Sequence, residues 1–162
     1  MDIITIDFET YYDKQVSLAK LTTEEYIRSP DFEVIGVAVK VNEEETVWLS
    51  GALDVLKTYL HKHYSWKRSA VLAHNTMFDG AILNWLFDIR PKLLLDTLCM
   101  SRALHGTEVS SALGHLAEQY NIGVKGDEVL NALGKHRSDF TTEQLAAYGD
   151  YCVQDVELTY KL

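Results

Sequence analysis

The chain has 162 residues, 47% of them hydrophobic and 24% charged, which is the ordinary composition of one globular domain with its own core. Its net charge of −9 argues against a surface that binds nucleic acid by bulk electrostatic attraction, although divalent cations can supply positive charge at a local site. No apolar run approaches the roughly 18 residues of a membrane span, and the N-terminus lacks the basic-then-apolar pattern of a secretory signal.

The first half of the chain is predicted to alternate between strands and helices. β-branched and apolar residues dominate the predicted strands, and an acidic turn separates the second strand from the third. The predicted elements are, in order, a strand over residues 2–8, a mixed segment with helical character over 17–29, strands over 33–41 and 46–49, and a helix over about 51–63.

The second half continues this alternation and then becomes helical. Its predicted elements are a buried strand at Ala70–Ala73, a helix from Asn75 or Thr76 to about Phe87, a buried strand at Leu93–Asp96, and several helices after Thr97. The last helix starts near Thr141 and reaches the final residue without a glycine or asparagine stop signal. We therefore expect the N-terminal part of a longer polypeptide, the alternative being a short protein whose terminal helix frays. Short strands alternating with helices predict an α/β sheet covered on both faces.

The opening strand ends on two acidic residues where the apolar pattern should continue. Side chains alternate between the two faces of a strand, so Asp7 and Glu9 point to one side while Phe8 points to the other. Two neighbouring carboxylates repel each other and are costly to desolvate unless a proton or a cation lies between them.

Two later segments offer further acidic groups. Asn75 and Asp79 lie four residues apart at a predicted helix start, where the helix dipole favours the ionised form of Asp79. Tyr151 and Asp155 share one face of the last helix. Four carboxylates meeting on one side of a sheet suit two hard divalent cations, because Mg²⁺ and Mn²⁺ prefer oxygen ligands.

Each of these residues also has an ordinary structural explanation. Asp79 could complement a helix N-terminus, Tyr151 could be a core aromatic residue, Asp155 could lie on a solvated face, and Asp7 could cap a turn. The pattern Asp-x-Glu occurs three times in the chain, so no single match is specific. Order and context favour the metal hypothesis, because the first pair ends a strand and the second motif follows one.

The ordered set resembles a known family. Asp7-Phe8-Glu9-Thr10, the stretch from His74 to Asp79, and Tyr151 with Asp155 are similar to the three motifs of the DEDD 3′–5′ exonucleases, and the tyrosine resembles the DEDDy, or DnaQ-like, branch. Residues 22–40 and 140–159 are similar in texture to the proofreading domain of phage-type family A DNA polymerases. The resemblance covers residues 1–162 as a single exonuclease domain. It implies a ribonuclease H-like fold, a mixed five-stranded sheet flanked by helices, with the second strand antiparallel.

The resemblance also implies a division of roles within the site. Asp7, Glu9, Asp79 and Asp155 would hold two divalent cations, Mg²⁺ or Mn²⁺, and Tyr151 would orient the attacking water. The residues expected to contact the substrate are Phe8, Thr10, Asn75 and Phe78. For Phe8 a core position is the alternative, and for Asn75 a helix cap is.

The activity implied is removal of 5′-mononucleotides from the 3′ end of single-stranded DNA, in partnership with a polymerase domain in cis or in trans. The alternatives are an RNA-directed exonuclease of the same fold and a non-catalytic module that binds DNA ends. Cys99 and Cys152 stand in no metal-type cluster, and we expect both to be buried free thiols in a reducing compartment. With the resemblance, this favours the cytoplasm of a bacterial or phage-infected cell and no membrane partner.

Overall fold

The computed structural model describes residues 1–125 and 132–162 of the chain. The strands are β1 (Ile3–Thr10), β2 (Val34–Val41), β3 (Val47–Ser50), β4 (Ala70–Ala73) and β5 (Leu93–Asp96). The helices are α1 (Thr23–Ile27), α2 (Leu53–His63), α3 (Thr76–Trp85), α4 (Thr97–His105), α5 (Leu113–Gln119) and α6 (Thr142–Lys161). Within the described ranges, no helix combines the length and apolar character needed to cross a membrane.

The five strands form one mixed sheet in the order β3-β2-β1-β4-β5. β2 runs antiparallel to both β1 and β3, whereas β4 and β5 run parallel to β1. This confirms the predicted ribonuclease H-like arrangement, including the antiparallel second strand. The central position of β1 places its last residues, and therefore its two acids, at the middle of one sheet edge.

The larger core lies on the face of the sheet that α2 and α3 cover. Ile4, Ile6 and Phe8 alternate along β1 and are all buried on this face. The Phe8 ring packs against Phe87, just after α3, with 5.4 Å between ring centroids. The predicted alternation of Phe8 with the flanking acids is confirmed.

The opposite face is covered by α6, which crosses β1, β2 and β3. Cys152 and Val156 on this helix pack against Ala38 of β2. The helix approaches closely because Gly149 has no side chain, since a Cβ there would lie 2.5 Å from the Trp48 ring. The close approach brings the third motif down onto the end of β1.

Three local predictions need correction or refinement. The predicted burial of β5 is wrong, because β5 is the last strand of the sheet and leaves Leu93 and Leu94 46% and 50% exposed. Of the segment 17–29, α1 covers only Thr23–Ile27, because Thr22 and Glu25 form a capping box that starts the helix late. Cys99 is exposed rather than buried, because it lies in the first turn of α4 on the solvent side. Cys152 is buried and free, as predicted.

Candidate active site

The end of β1 and the middle of α6 meet at the first motif. The Cys152 thiol lies 3.3 Å from the Asp7 carbonyl oxygen and 3.4 Å from Asp7 Oδ2, and it donates to both acceptors. Asp7 and Glu9 are partly buried on this side of the sheet. The two acids therefore face α6, the helix that carries the third motif.

The second motif reaches the same place from α3. The Asp79 side chain is buried in the first turn of α3, and its Oδ1 accepts a hydrogen bond of 3.1 Å from the main-chain N–H of Phe8. This bond spans 71 residues of sequence. Phe8, which lies between Asp7 and Glu9 of the first motif, thus holds Asp79 of the second motif in place.

The third motif supplies Asp155, which pairs with a lysine. Asp155 Oδ2 lies 2.6 Å from Lys125 Nζ, and the same ammonium group lies 4.9 Å from the centre of the Tyr151 ring. Asp155 Oδ1 is buried and has no hydrogen-bond partner within the part of the chain that the structure describes. A buried carboxylate oxygen without a partner is costly, and a metal ion would remove that cost.

Two tyrosines on α6 have different polar partners in the site. Tyr148 is buried and donates its hydroxyl hydrogen to the Glu9 carboxylate. Tyr151 is half-buried and contacts Lys125. Burial is the largest cause that raises the pKa of Tyr151 above its usual value, so the hydroxyl stays protonated near neutral pH.

The carboxylates raise one another's pKa values. Burial, followed by the nearby charge of Asp155, raises the pKa of Asp7 to about 6. Burial and the charge of Asp7 raise the pKa of Glu9 to about 8. The same two causes place the pKa of Asp79 well above its usual value, so the helix-dipole argument for an ionised Asp79 is overruled by desolvation. The cluster cannot be fully ionised at neutral pH without added positive charge.

The donor set fits divalent cations. One possible ligand atom from each of Asp7, Glu9 and Cys152 lies within 4.8 Å of the other two. Burial and the charge of Asp7 raise the pKa of Cys152 well above its usual value, so the sulfur keeps its proton and donates to Asp7. The remaining donors are carboxylate oxygens, which match Mg²⁺ and Mn²⁺ rather than a thiophilic ion.

A cavity of about 430 Å³ opens beside the acids. Asp7 and Asp155 line one part of it, and Arg102 and Lys125 provide positive charge in the same cavity. His74 also lines it, with Nε2 donating to the Ser111 carbonyl at 2.9 Å and burial lowering its pKa. A neutral imidazole held in this way shapes the wall of the cavity.

The four residues predicted to contact substrate have different surroundings. The side chains of Phe8, Thr10 and Phe78 are buried, and Thr10 Oγ1 is hydrogen-bonded to the Tyr26 hydroxyl at 2.9 Å. Asn75 is half-buried, has a left-handed backbone with φ of 80°, and makes no side-chain capping bond. Of the four, Asn75 therefore offers the most available polar side chain.

Sequence reasoning missed Lys125 and the position of Cys152 inside the site. Lys125 lies 30 residues from Asp155 and 26 from Tyr151, so no local spacing signals its role. Cys152 falls on the apolar side of a predicted helix, and its contact with Asp7 spans 145 residues. Sequence spacing gives no signal for Tyr148 either, because the residue four positions later is Cys152 and its acidic partner Glu9 lies at the other end of the chain.

Comparison with solved structures supports the fold assignment. NrnC from Brucella melitensis bound to pGG has a TM-score of 0.63 and 14% identity, with 98% of this chain and 68% of that chain covered. RNase D from Escherichia coli has a TM-score of 0.58 and 15% identity, with 96% and 36% covered. The family B DNA polymerase of Pyrobaculum calidifontis has a TM-score of 0.62 and 13% identity, with 98% and 23% covered.

These likenesses concern the fold alone, because all three identities are low. The fold that this chain shares with them is ribonuclease H-like, and the narrower resemblance to phage-type family A polymerases stays a prediction. No family model matches the sequence, and a comparison with curated proteins finds no match.

Proposed function

We propose that the protein is a metal-dependent 3′–5′ exonuclease that removes 5′-mononucleotides from single-stranded nucleic acid. The observation that carries this function is the convergence of Asp7, Glu9, Asp79 and Asp155 from three separate segments onto one end of the sheet. Burying like charges in one place is unfavourable, so a purely structural role leaves the cluster unexplained.

Asp7, Glu9, Asp79 and Asp155 would hold two divalent cations, Mg²⁺ or Mn²⁺. Bound ions of this kind supply an activated water of lowered pKa and stabilise the charge on the leaving oxygen. The Asp155 oxygen that has no partner among the described residues is ready to act as a ligand. Phe8 holds Asp79 through its main chain, and Tyr148 holds Glu9 through its hydroxyl, so both acids are fixed in advance.

Tyr151 orients the attacking water through its hydroxyl rather than acting as a base. A phenol has an unperturbed pKa near 10, and burial raises the pKa of Tyr151 further. At neutral pH the hydroxyl can donate or accept a hydrogen bond but removes no proton from water. Its loss should therefore slow the reaction less than the loss of a metal ligand.

The substrate we favour is the 3′ end of single-stranded DNA, with the cavity beside Asp7 and Asp155 receiving the terminal nucleotide. Arg102 is placed to meet a phosphate there, and Asn75 can donate its amide to the strand. The net charge of −9 makes tight, metal-independent DNA binding unfavourable.

RNA is the second candidate substrate, and the solved structures supply the reason. The Escherichia coli RNase D of similar fold is an exoribonuclease involved in structured RNA processing, and NrnC was solved with the short ligand pGG. Both chains cover nearly all of this domain, so the same fold can serve ribose-containing substrates. The 2′-hydroxyl is the group that a site would use to distinguish the two.

The partner we propose is a polymerase domain, in the same polypeptide or in a separate one, for which the exonuclease would proofread. Support comes from the resemblance of residues 22–40 and 140–159 to phage-type proofreading domains. The family B DNA polymerase of similar fold is matched over 23% of its chain, which is compatible with a domain of this fold inside a polymerase polypeptide.

The test is release of mononucleotides from matched DNA and RNA strands with the same sequence and a label at the 5′ end. We expect Mn²⁺-dependent shortening from the 3′ end, abolished by chelation, with DNA degraded faster than RNA. Asp54→Asn, at an exposed acid of α2, serves as the active control for Asp7→Asn. Full activity of Asp7→Asn, or activity that survives chelation, would refute the proposed site.

A further inference from the structure

Lys125 occupies an unusual position for a lysine, because it lies among the proposed metal ligands. Its ammonium group is 2.6 Å from Asp155 Oδ2 and 4.9 Å from the centre of the Tyr151 ring. The Asp155 side chain is 11% exposed and the Lys125 side chain is 30% exposed, so the pair is largely shielded from water. The lysine thus already neutralises a carboxylate on which a divalent ion would have to bind.

The segment that carries Lys125 is fastened to α6 at three successive residues. Gly123 lies so close to the helix that a Cβ there would be 2.7 Å from Leu158 Cδ2, and its φ is 153°. The Val124 carbonyl accepts a hydrogen bond of 2.7 Å from the Gln154 side chain. Lys125 then reaches Asp155. An ammonium group delivered by a backbone fixed in this way is a built feature of the site rather than a surface side chain in passing contact.

The same ammonium group also has another place to go. Lys125 and Asp155 both line the cavity of about 430 Å³, and Arg102 lines it as well. Because Lys125 lines the cavity, an ammonium group displaced from Asp155 would find open space beside it. Displacement would then require rotation of the flexible lysine stem rather than movement of the backbone that α6 holds.

We infer that Lys125 is a resident counter-ion of Asp155 that a divalent cation must displace, so that the lysine weakens metal binding and stabilises the metal-free protein. This inference rests on the proposed function, because it takes Asp155 as a metal ligand. The cause is electrostatic competition, because the lysine and the divalent cation both require the Asp155 carboxylate. Lys125 acts through Asp155 and touches no reacting atom in the metal-free state, so it is a positioning residue.

The first experiment compares Mn²⁺ binding by the wild type, Lys125→Met and Lys125→Arg, measured by electron paramagnetic resonance of the free ion. Lys67→Met is the matched control, because Lys67 is an exposed lysine of the Trp66–Arg68 turn and its loss changes the net charge equally. We expect Lys125→Met to bind Mn²⁺ about three- to tenfold more tightly, with Lys125→Arg and Lys67→Met close to wild type. Unchanged or weaker binding by Lys125→Met overturns the inference.

Thermal unfolding in EDTA gives the second readout. Lys125→Met leaves Asp155 buried beside Asp7 without its partner, so its Tm should fall by about 2–4 °C while that of Lys67→Met stays unchanged. A Tm equal to or above that of wild type contradicts a stabilising counter-ion.

A measurement on the wild type alone keeps the test independent of how the variants fold. Lysine acetylation followed by peptide mass spectrometry should modify Lys125 about threefold or more faster in Mg²⁺ than in EDTA, because displacement frees the ammonium group. Lys67, read in the same digest, should react at one rate throughout. If Mg²⁺ leaves the Lys125 rate unchanged although Mn²⁺ binds, the counter-ion inference fails and the proposed function stands. If no divalent ion binds at all, both fail.

Discussion

The hydroxyl of Tyr148 donates a hydrogen bond to the Glu9 carboxylate, across the interface between α6 and β1. This bond lowers the pKa of Glu9, although burial and Asp7 together still raise that pKa to about 8. Tyr148 thus keeps Glu9 closer to the ionised state that a metal ligand requires. Tyr151, three residues later, has no such bond to Glu9 and faces Lys125.

Replacing each tyrosine by phenylalanine should therefore give different defects. Tyr148→Phe should weaken Mn²⁺ binding at pH 7 by about tenfold, because the pKa of Glu9 rises further. The deficit should shrink at pH 9, where a larger share of Glu9 is ionised in both proteins. Tyr151→Phe should lower kcat and leave Mn²⁺ affinity near wild type. Mn²⁺ titrations at pH 7 and pH 9, together with measurements of kcat, separate the role of Tyr148 in metal binding from that of Tyr151 in catalysis. Identical defects in the two variants would show that these roles are assigned wrongly.

Asp7→Asn should abolish hydrolysis, because it removes one of the four carboxylate ligands of the proposed metal site. The expected loss in kcat/KM is on the order of 10³-fold or more. The fold should survive, since asparagine still offers an oxygen to the Cys152 thiol. The metal-free variant should even gain stability, because one of the repelling carboxylates is gone. Urea unfolding in EDTA measures this gain, and a marked loss of stability would contradict carboxylate repulsion.

The stability of the metal-free protein should fall as the pH rises from about 5 to 8. The pKa values of Asp7 and Glu9 are raised in the folded state, to about 6 and about 8, so the folded chain holds protons that the unfolded chain has released. Their contribution to stability is complete below the unfolded values near 4 and is lost as the pH rises through the folded values. We expect a decrease of about 2–4 kcal/mol, measured by urea unfolding in EDTA. Addition of Mg²⁺ should flatten the profile, and a metal-free profile that rises over this range would contradict the shifts.

Asp96 should matter for stability more than its partly exposed position suggests. Its carboxylate accepts main-chain N–H groups at the start of two helices, from Asn75 and Thr76 at 3.1 Å and from Leu98 and Cys99 at 2.9 and 3.3 Å. Asp96→Ala should cost about 2–3 kcal/mol of unfolding free energy, because it removes a helix cap and loosens the start of α3 at once.

Denaturant unfolding in Mg²⁺ and in EDTA checks this, with Asp54→Ala at the start of α2 as the control. The loosened α3 carries Asp79, so the Asp96 variant should also bind Mn²⁺ more weakly. A variant that is destabilised but retains wild-type Mn²⁺ affinity would show that the two helix starts are not coupled.

Lys40 and Glu157 form a partly buried ion pair away from the site. Lys40 is only 6% exposed, and its Nζ lies 2.8 Å from Glu157 Oε1 and 2.7 Å from the Glu44 carbonyl. Glu157→Ala should cost about 1–3 kcal/mol, because it leaves the buried ammonium group with the Glu44 carbonyl but without a charged partner. The double replacement Lys40→Met with Glu157→Leu should recover most of that loss. A double-mutant cycle of unfolding free energies measures the coupling, and additive losses would refute it.

The strands and the acids could be predicted because their signals are local. β4 and β5 match their predicted bounds, because each is a short apolar run between turn signals. The predicted burial holds only for β4, since β5 is the edge strand and no further strand covers it. Asp7 and Glu9 could be predicted because they interrupt such an apolar run. The mixed segment 17–29 is helical only in its second half, because its first part is a turn in which the N–H groups of Lys20 and Leu21 donate to the Ser17 carbonyl.

The partners of the acids could not be predicted, because each lies far away in sequence. Lys125 reaches Asp155 across 30 residues, and Cys152 reaches Asp7 across 145. The prediction that the helix dipole keeps Asp79 ionised is wrong for a related reason. A helix dipole can be inferred from neighbouring residues, whereas desolvation depends on the whole fold that closes over the side chain.

The bond between the Phe8 amide and Asp79 has a consequence for how the site tolerates change. Every amino acid except proline carries that N–H group, so the side chain at position 8 is free to vary as long as it fills the space against Phe87. A comparison of side-chain identities at position 8 therefore does not detect the hydrogen bond to Asp79. Phe8→Leu should preserve it, and proline is the one natural residue whose introduction would cut the link between the two acidic motifs.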